Sequence, residues 1–260
     1  MRVILTRPER EAQRWAELLQ ARGHAAVPLP LIGIGPAPDL SAVQAALRRL
    51  PAFDAVMFVS ANAVAGFLQS DGAAARTDWA VAAIKTRAWA TGPGTAQALA
   101  EAGVPPGCVD QPPPDGLQFD SEALWGEVQG QVRPGTRVLI VRGAGADGEP
   151  AGRDWLATRL QQAGAQVDTV AAYSRSLPAW TPAQQQGARH AAGDGSVWLF
   201  SSSEAVANLR ALLPAQDWSR ARALATHERI AQAAREAGFG VVWPSRASVE
   251  AIVATLESIG

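Results

Sequence analysis

Phe58-Val59-Ser60-Ala61-Asn62-Ala63-Val64-Ala65 recurs later in the chain as Phe200-Ser201-Ser202-Ser203-Glu204-Ala205-Val206-Ala207. In each copy an apolar run ends at serine and passes into an alanine-rich stretch, the pattern of a strand, a short loop and a helix. Two further pairs flank it. Residues 88–103 match residues 223–238, sharing Ala-x-Ala-Thr, then Ala-Gln-Ala, then Glu-Ala-Gly. Val3-Ile4-Leu5-Thr6-Arg7 matches Val138-Leu139-Ile140-Val141-Arg142 more loosely, and each is followed by a helical stretch and a glycine, Gly23 or Gly164. The three units occur in the same order twice, which points to duplication. Further apolar runs at 24–30, 55–59, 167–171, 197–200 and 240–243 lie beside loops and helical stretches. In 9–22, Trp15, Leu18, Leu19 and Arg22 recur at helical spacing before Gly23 ends the run. Repeated βα units of this kind predict an α/β fold with parallel sheets covered on both faces.

The chain has 260 residues, suiting two domains, and its 48% hydrophobic and 18% charged residues predict packed cores and no extended disorder. A formal net charge of −1 argues against a general nucleic-acid binder, so an anionic ligand has to be held by local groups. Cys108 is the single cysteine, which excludes an intrachain disulfide and a cysteine-based metal site, and fits a reducing cytoplasm. The apolar run at the start is too short for a signal peptide, and no apolar stretch is long enough to span a membrane. His24, His190 and His227 are scattered without metal-ligand spacing. Neither a Gly-x-Ser-x-Gly elbow nor a Walker A sequence is present.

In parallel α/β sheets, ligands bind beyond the carboxyl ends of the strands. Those ends read Thr6-Arg7, Ser60-Ala61-Asn62, Thr91-Gly92-Pro93-Gly94-Thr95, Arg142-Gly143, Ser201-Ser202-Ser203 and Thr226-His227. Hydroxyls and glycines there leave helix N–H groups open to anions, and an arginine can grip a carboxylate with paired hydrogen bonds. Two lobes of such loops suit a polyanionic small molecule. The plainer alternatives are that Ser60, Asn62, Thr91, Ser202 and Thr226 are helix N-caps, and that Arg7 and Arg142 are solvated surface charges.

Gly143-Ala144-Gly145-Ala146-Asp147-Gly148 follows a strand and matches the dinucleotide-binding fingerprint, with Asp168 at the expected distance. Against it, Arg142 separates strand from glycine, and Glu149-Pro150 interrupts the helix that should open there. The helix is expected to start near 152–153, leaving the glycines as a mobile loop. Tyr173, the only tyrosine, follows a strand at a candidate linker. It suits either packing or proton donation to a leaving hydroxyl. Candidate boundaries are 33–39 and 174–182, or a midpoint cut at the proline run 112–116. Trp15 and Trp155, on helical stretches, are expected to pack.

The ordered set of motifs resembles the uroporphyrinogen-III synthase family over nearly the whole chain. It comprises Leu5-Thr6-Arg7-Pro8, Pro28-Leu29-Pro30-Leu31-Ile32, Phe58-Val59-Ser60-Ala61-Asn62, Ala90-Thr91-Gly92-Pro93-Gly94-Thr95 and Ile140-Val141-Arg142-Gly143, followed by Ala172-Tyr173-Ser174-Arg175, Phe200-Ser201-Ser202 and Ala225-Thr226-His227. The resemblance implies two flavodoxin-like parallel-sheet domains joined by a two-stranded linker. The first is discontinuous, 1–35 with 175–260, and the second is inserted at 38–172. It implies a monomeric cytoplasmic lyase of tetrapyrrole (haem) biosynthesis with no metal or organic cofactor, no nucleic-acid partner and no membrane partner. The substrate would be hydroxymethylbilane, closed to uroporphyrinogen III with inversion of the last pyrrole and loss of water. Tyr173 would assist loss of hydroxide. Thr6, Arg7, Ser60, Asn62, Thr91, Gly92, Thr95, Arg142, Ser202, Thr226 and His227 would bind substrate. A non-catalytic two-lobe binding protein for a small anion, and a nicotinamide enzyme resting on 143–148, are the competing readings.

Overall fold

The computed structural model describes residues 1–68, 85–113, 116, 119–145, 147–152 and 154–259. In chain order its principal elements begin with β1 (Arg2–Leu5), α1 (Glu9–Gln20), β2 (Ala25–Pro28), β3 (Gly33–Gly35), α2 (Leu40–Arg48), β4 (Ala55–Phe58) and α3 (Ala61–Leu68). Then follow β5 (Arg87–Ala90), α4 (Pro93–Glu101), β6 (Val109–Asp110), α5 (Ser121–Val128), β7 (Arg137–Ala144), α6 (Trp155–Gln162) and β8 (Gln166–Ser176). The last are α7 (Pro182–Ala191), β9 (Val197–Phe200), α8 (Ser203–Leu212), β10 (Arg222–Ala225), α9 (Glu228–Glu236), β11 (Val241–Pro244) and α10 (Val249–Ile259). The chain divides into two compact units, Met1–Gly33 with Ser176–Gly260, and Ile34–Arg175. The proline run at 112–116 falls inside the second unit, and Pro114 and Asp115 within it lie outside the described residues.

The first unit holds a five-stranded sheet in the order β11-β10-β9-β1-β2, with every neighbour parallel. Its central strands are buried on both faces, and alternate residues serve opposite layers. Ile4, Trp198 and Phe200 join one core with Trp218 and Phe239, while Val3, Leu5, Val197 and Leu199 join the other with Leu19, Ile252 and Leu256. Continuous apolar strands are what a doubly covered parallel sheet demands.

The second unit is built on the six-stranded sheet β3-β8-β7-β4-β5-β6. From β8 to β6 all pairings are parallel. The same alternation divides its core: Val56, Phe58, Leu139 and Val141 face one layer, and Ala55, Met57, Val138 and Ile140 the other.

Numbering the first sheet's strands along the chain and reading from β2 gives the order 2-1-3-4-5. Setting aside the edge strand β3 and taking β7 as first, β8 as second and β4, β5, β6 as third to fifth, the second sheet reads 2-1-3-4-5 as well. Those five strands therefore repeat the first sheet with its chain start moved. The three sequence repeats occupy equivalent strands: β1 with β7, β9 with β4, and β10 with β5. The repeated glycines agree, since Gly23, Gly164, Gly103 and Gly238 all end helices at φ of 83°, 85°, 88° and 96°.

Candidate active site

A parallel sheet that reverses its strand order opens a crevice at the reversal, outside the strands' carboxyl ends. That point lies between β1 and β9 in the first unit and between β7 and β4 in the second. The residues singled out from sequence gather there or on the next strand outward.

In the first unit, Thr6 is buried and its hydroxyl donates to the Leu199 carbonyl at 2.7 Å, tying the end of β1 to β9. Arg7 turns onto the Trp15 ring, 4.3 Å from its centroid, and donates to Glu11 at 3.3 Å. Its side chain is only 14% exposed, and its Nε is buried without a partner. Burial pushes the Arg7 pKa below its ordinary value, with the Glu11 carboxylate opposing. Ser202 caps α8, accepting from the Glu204 N–H at 3.1 Å. Thr226 is half-buried, its N–H donating to Phe200 at 3.0 Å. His227 is exposed and caps α9, its Nδ1 accepting from the Arg229 N–H at 3.0 Å.

In the second unit, Ser60 stands at the start of α3, where its Oγ accepts from the Ala63 N–H at 3.2 Å. The same Oγ lies 3.2 Å from the Tyr173 hydroxyl. Tyr173 is 6% exposed and packs in the core layer with Phe58, Val141 and Ala172. Two glycines make this placement possible. A Cβ on Gly143, which pairs in register with Tyr173, would fall 2.7 Å from the ring's Cζ. A Cβ on Gly66 would fall 2.1 Å from the Ala172 carbonyl oxygen, so only glycine lets α3 lie this close to β8.

Arg142 lies within β7, is 5% exposed as a residue, and donates to Asp154 at 2.8 Å. The Thr91 hydroxyl donates to the Val59 carbonyl at 3.2 Å and lies 3.5 Å from the Thr95 hydroxyl. Gly92 is the N-cap of α4, and a Cβ there would meet Phe119 at 2.9 Å. Asn62 sits half-buried in the first turn of α3.

The geometry corrects several expectations. Arg7 and Arg142 are not solvated surface charges; both are largely buried and paired. Of the proposed caps, Ser60 and Ser202 cap, whereas Thr91 and Thr226 each precede the capping residue. Of the 143–148 glycines, Gly143 belongs to β7, while Gly145 and Gly148 lie beyond it. β7 runs on through Gly143 to Ala144, with a register shift after Arg142, and the chain then turns back so that Ala144 bridges Pro150. The Gly145 N–H donates to Glu149 and the Ala151 N–H to Gly143, both at 2.9 Å. Helix α6 starts at Trp155, beyond the expected 152–153, where Arg153 and also Ala146 lie outside the described residues. The fingerprint therefore opens no helix on which a pyrophosphate could rest. Trp15 holds Arg7 as well as packing, and Trp155 lies under Arg159 at 5.6 Å.

The partners Glu11, Asp154 and Gly143 were missed as site residues. Glu11 follows Arg7 by four positions on a helix, a spacing visible in the sequence. Asp154 gave no such signal. Among the described residues no His, Cys, Asp and Glu cluster could hold a metal ion, and no helix is long and apolar enough to cross a membrane.

Fold and site define an α/β protein with parallel sheets that presents arginines, hydroxyls and helix starts at its switch points, together with one buried phenol. The family model described as uroporphyrinogen-III synthase HemD matches residues 13–254. A uroporphyrinogen-III synthase from Synechococcus elongatus is 30% identical over 220 residues, covering 84% of this chain and 77% of that protein. The chain belongs to the uroporphyrinogen-III synthase family, and is an enzyme of that type, a cyclising lyase of tetrapyrrole biosynthesis. Its fold is similar to that of a uroporphyrinogen-III synthetase from Helicobacter pylori, with TM-score 0.62, 17% identity and full coverage of both chains. A mutant uroporphyrinogen III synthase from Thermus thermophilus gives TM-score 0.57 and 20% identity, over 100% of this chain and 97% of that one. Family membership favours an enzyme over a non-catalytic binding protein.

Proposed function

We propose that Tyr173 is the proton donor for the first step on hydroxymethylbilane, and that the switch-point residues of each unit hold the substrate's carboxylates. The observation that carries the reading is the hydroxyl of the largely buried Tyr173, 3.2 Å from the Ser60 hydroxyl at the start of α3. A phenol keeps its proton near neutral pH and can pass it to a leaving oxygen. The terminal C–O bond breaks as the pyrrole nitrogen's lone pair pushes outward, and the departing hydroxide takes the phenolic proton and leaves as water. The Ser60 hydroxyl can then donate to the phenolate. The far pyrrole attacks the azafulvene through its substituted carbon, forming a spiro intermediate. Fragmentation and reclosure invert that ring, and loss of a ring-carbon proton restores aromaticity and the phenol.

The unassisted chain closes without inversion, so the protein's work is largely orientation and charge placement. Arg7 and Arg142 supply positive charge, and the helix starts near Ser60, Gly92, Ser202 and His227 supply oriented N–H groups. Thr6 and Thr91 support rather than contact, because their hydroxyls already donate to the Leu199 and Val59 carbonyls. The shared 2-1-3-4-5 order supports reading both units as flavodoxin-like domains, and the chain passes between them twice, at 33–34 and 175–176. The net charge of −1 speaks against a general nucleic-acid binder, and the single cysteine fits a reducing cytoplasm.

The test is the isomer ratio formed from freshly generated hydroxymethylbilane, with and without the protein, after oxidation and chromatography. Type III product is expected with the protein and type I without it. Unchanged type I from folded protein rejects the activity.

A further inference from the structure

β1 and β7 are the equivalent strands of their sheets, and each delivers an arginine that pairs with an acid at the start of the next helix. Arg7 meets Glu11 at 3.3 Å and Arg142 meets Asp154 at 2.8 Å. The arginine side chains are 14% and 6% exposed, and their acids are more open, at 28% and 74%. The helices involved share one feature, with α4 as the third such case. Asp39, Asp120, Thr181, Ser202 and His227 cap their helices with side-chain acceptors. At the starts of α1 and α6, Pro8 and Asp154 make no such bond. Aspartate is among the best caps, yet Asp154 sends its carboxylate to Arg142. In the first unit the Arg7 Nε is also buried without a partner, although a buried donor ordinarily has one. An arginine with an unspent donor beside an uncapped helix start suits an anion with two oxygens, a carboxylate.

We infer that Glu11 and Asp154 are resident carboxylates that neutralise Arg7 and Arg142 in the unliganded protein and give way to substrate carboxylates. The inference rests on the reading that these arginines hold substrate. A bare buried guanidinium would destabilise the empty site. A resident acid removes that penalty, and its greater exposure lets it swing into water when displaced. The exchange also grades affinity, since every incoming carboxylate must outcompete one already in place. No covalent bond changes; one ion pair replaces another.

Glu11→Gln and Asp154→Asn in the full chain test this, with kcat and KM for type III formation and the unliganded Tm as readouts. Each variant is expected to lower KM about two- to fivefold, equivalent to roughly 0.4–1 kcal/mol for a partly exposed pair. Unliganded Tm should fall. Asp154 is exposed enough that its variant tests the idea even if Glu11→Gln folds poorly. Arg7→Gln and Arg142→Gln separate the two layers of the argument, because both should raise KM. If they do, while the acid variants leave KM unchanged or raise it, the acids are supports and the exchange is overturned alone. If neither arginine variant moves KM, the carboxylate-holding reading falls and the exchange with it.

Discussion

Gly143→Ala adds one methyl group where β7 passes the Tyr173 ring. The new Cβ would lie 2.7 Å from Cζ, 2.8 Å from Cε2 and 3.0 Å from the hydroxyl oxygen. Carbon–carbon contacts settle at about 3.5–4.0 Å, so the ring must retreat by roughly 1 Å. It has little room, being 6% exposed in a packed layer. Overpacking of this kind costs about 1–3 kcal/mol, while replacing a strand glycine returns about 0.5–1 kcal/mol. The net loss of stability is therefore modest, about 0–2.5 kcal/mol. Turnover is the sharper readout, since a 1 Å misplacement of a reacting group can cost on the order of a hundredfold. We expect kcat to drop about 10- to 100-fold, bounded by the loss that Tyr173→Phe causes by itself. The assay is the rate of type III formation together with a urea midpoint, run on Gly143→Ala, Tyr173→Phe and the double variant. With phenylalanine at 173 the ring still meets the methyl group, so the stability loss persists, but the hydroxyl is gone and no further rate should be lost. An equal drop in kcat in both backgrounds would show that Gly143 acts by another route. Wild-type turnover in Gly143→Ala would refute the placement of the phenol.

Tyr173→Phe should lower kcat by about 10²–10⁴-fold at most, the span of general acid catalysis, and leave the urea midpoint near wild type; an unchanged rate removes Tyr173 from the mechanism. Gly66→Ala places a Cβ 2.1 Å from a backbone oxygen that no side-chain rotation can relieve. It should destabilise by at least about 1–3 kcal/mol despite the gain of about 1 kcal/mol in helix propensity, and an unmoved urea midpoint would deny the close approach of α3 to β8. Asp194 holds Arg2 at 2.5 Å. Desolvation alone would raise its pKa, but hydrogen bonds from Ser196 and the charge of Arg2 together hold it below the ordinary value. A depressed carboxylate stabilises the fold above the unfolded value, about 3.9, and that contribution fades as pH falls through the folded one. The Tm difference between wild type and Asp194→Asn should therefore shrink on acidification below about pH 4, and a constant difference would contradict the assignment.

The strand ends were legible because doubly covered parallel strands are written as apolar runs, so the hydroxyl or arginine closing each run marks where the sheet meets solvent. The repeats were legible for a related reason: equivalent strands in two sheets of one order face the same packing demands. What the sequence hid was set by distance along the chain or by local exceptions. Ser60 and Tyr173 meet across 113 positions, and nothing near either announces the other. β7 continued past its apparent end because Arg142, a charged residue that normally stops a buried run, is neutralised there by Asp154. The short strands β3 and β6 carry too few residues to show alternation. Asp154 was invisible because a favoured N-cap residue is expected to cap its own helix, and this one does not.

The differences between the equivalent halves bear on how the chemistry is divided. Both keep a largely buried arginine on or just after the first strand of the sheet and a capping serine after the third. They part company after the second strand. In the first unit the segment leaving β2 is apolar, with Leu29, Leu31 and Ile32 buried. The carbonyls of Pro30 and Leu31 are held there by Trp180 and Asn208 at 2.9 and 2.7 Å. In the second unit the corresponding end of β8 presents Tyr173, and Gly143 makes room for it. A polyanionic substrate gains from every carboxylate-holding group, so duplicated arginines and helix starts serve binding twice. One hydroxyl leaves, and one phenol suffices to protonate it. Under the proposed mechanism the features present in both halves are those that place charge, and the feature present in one half is the proton donor. Introducing a tyrosine at the matching place in the first unit would then add nothing to the loss of water, while costing the apolar seal around Leu31.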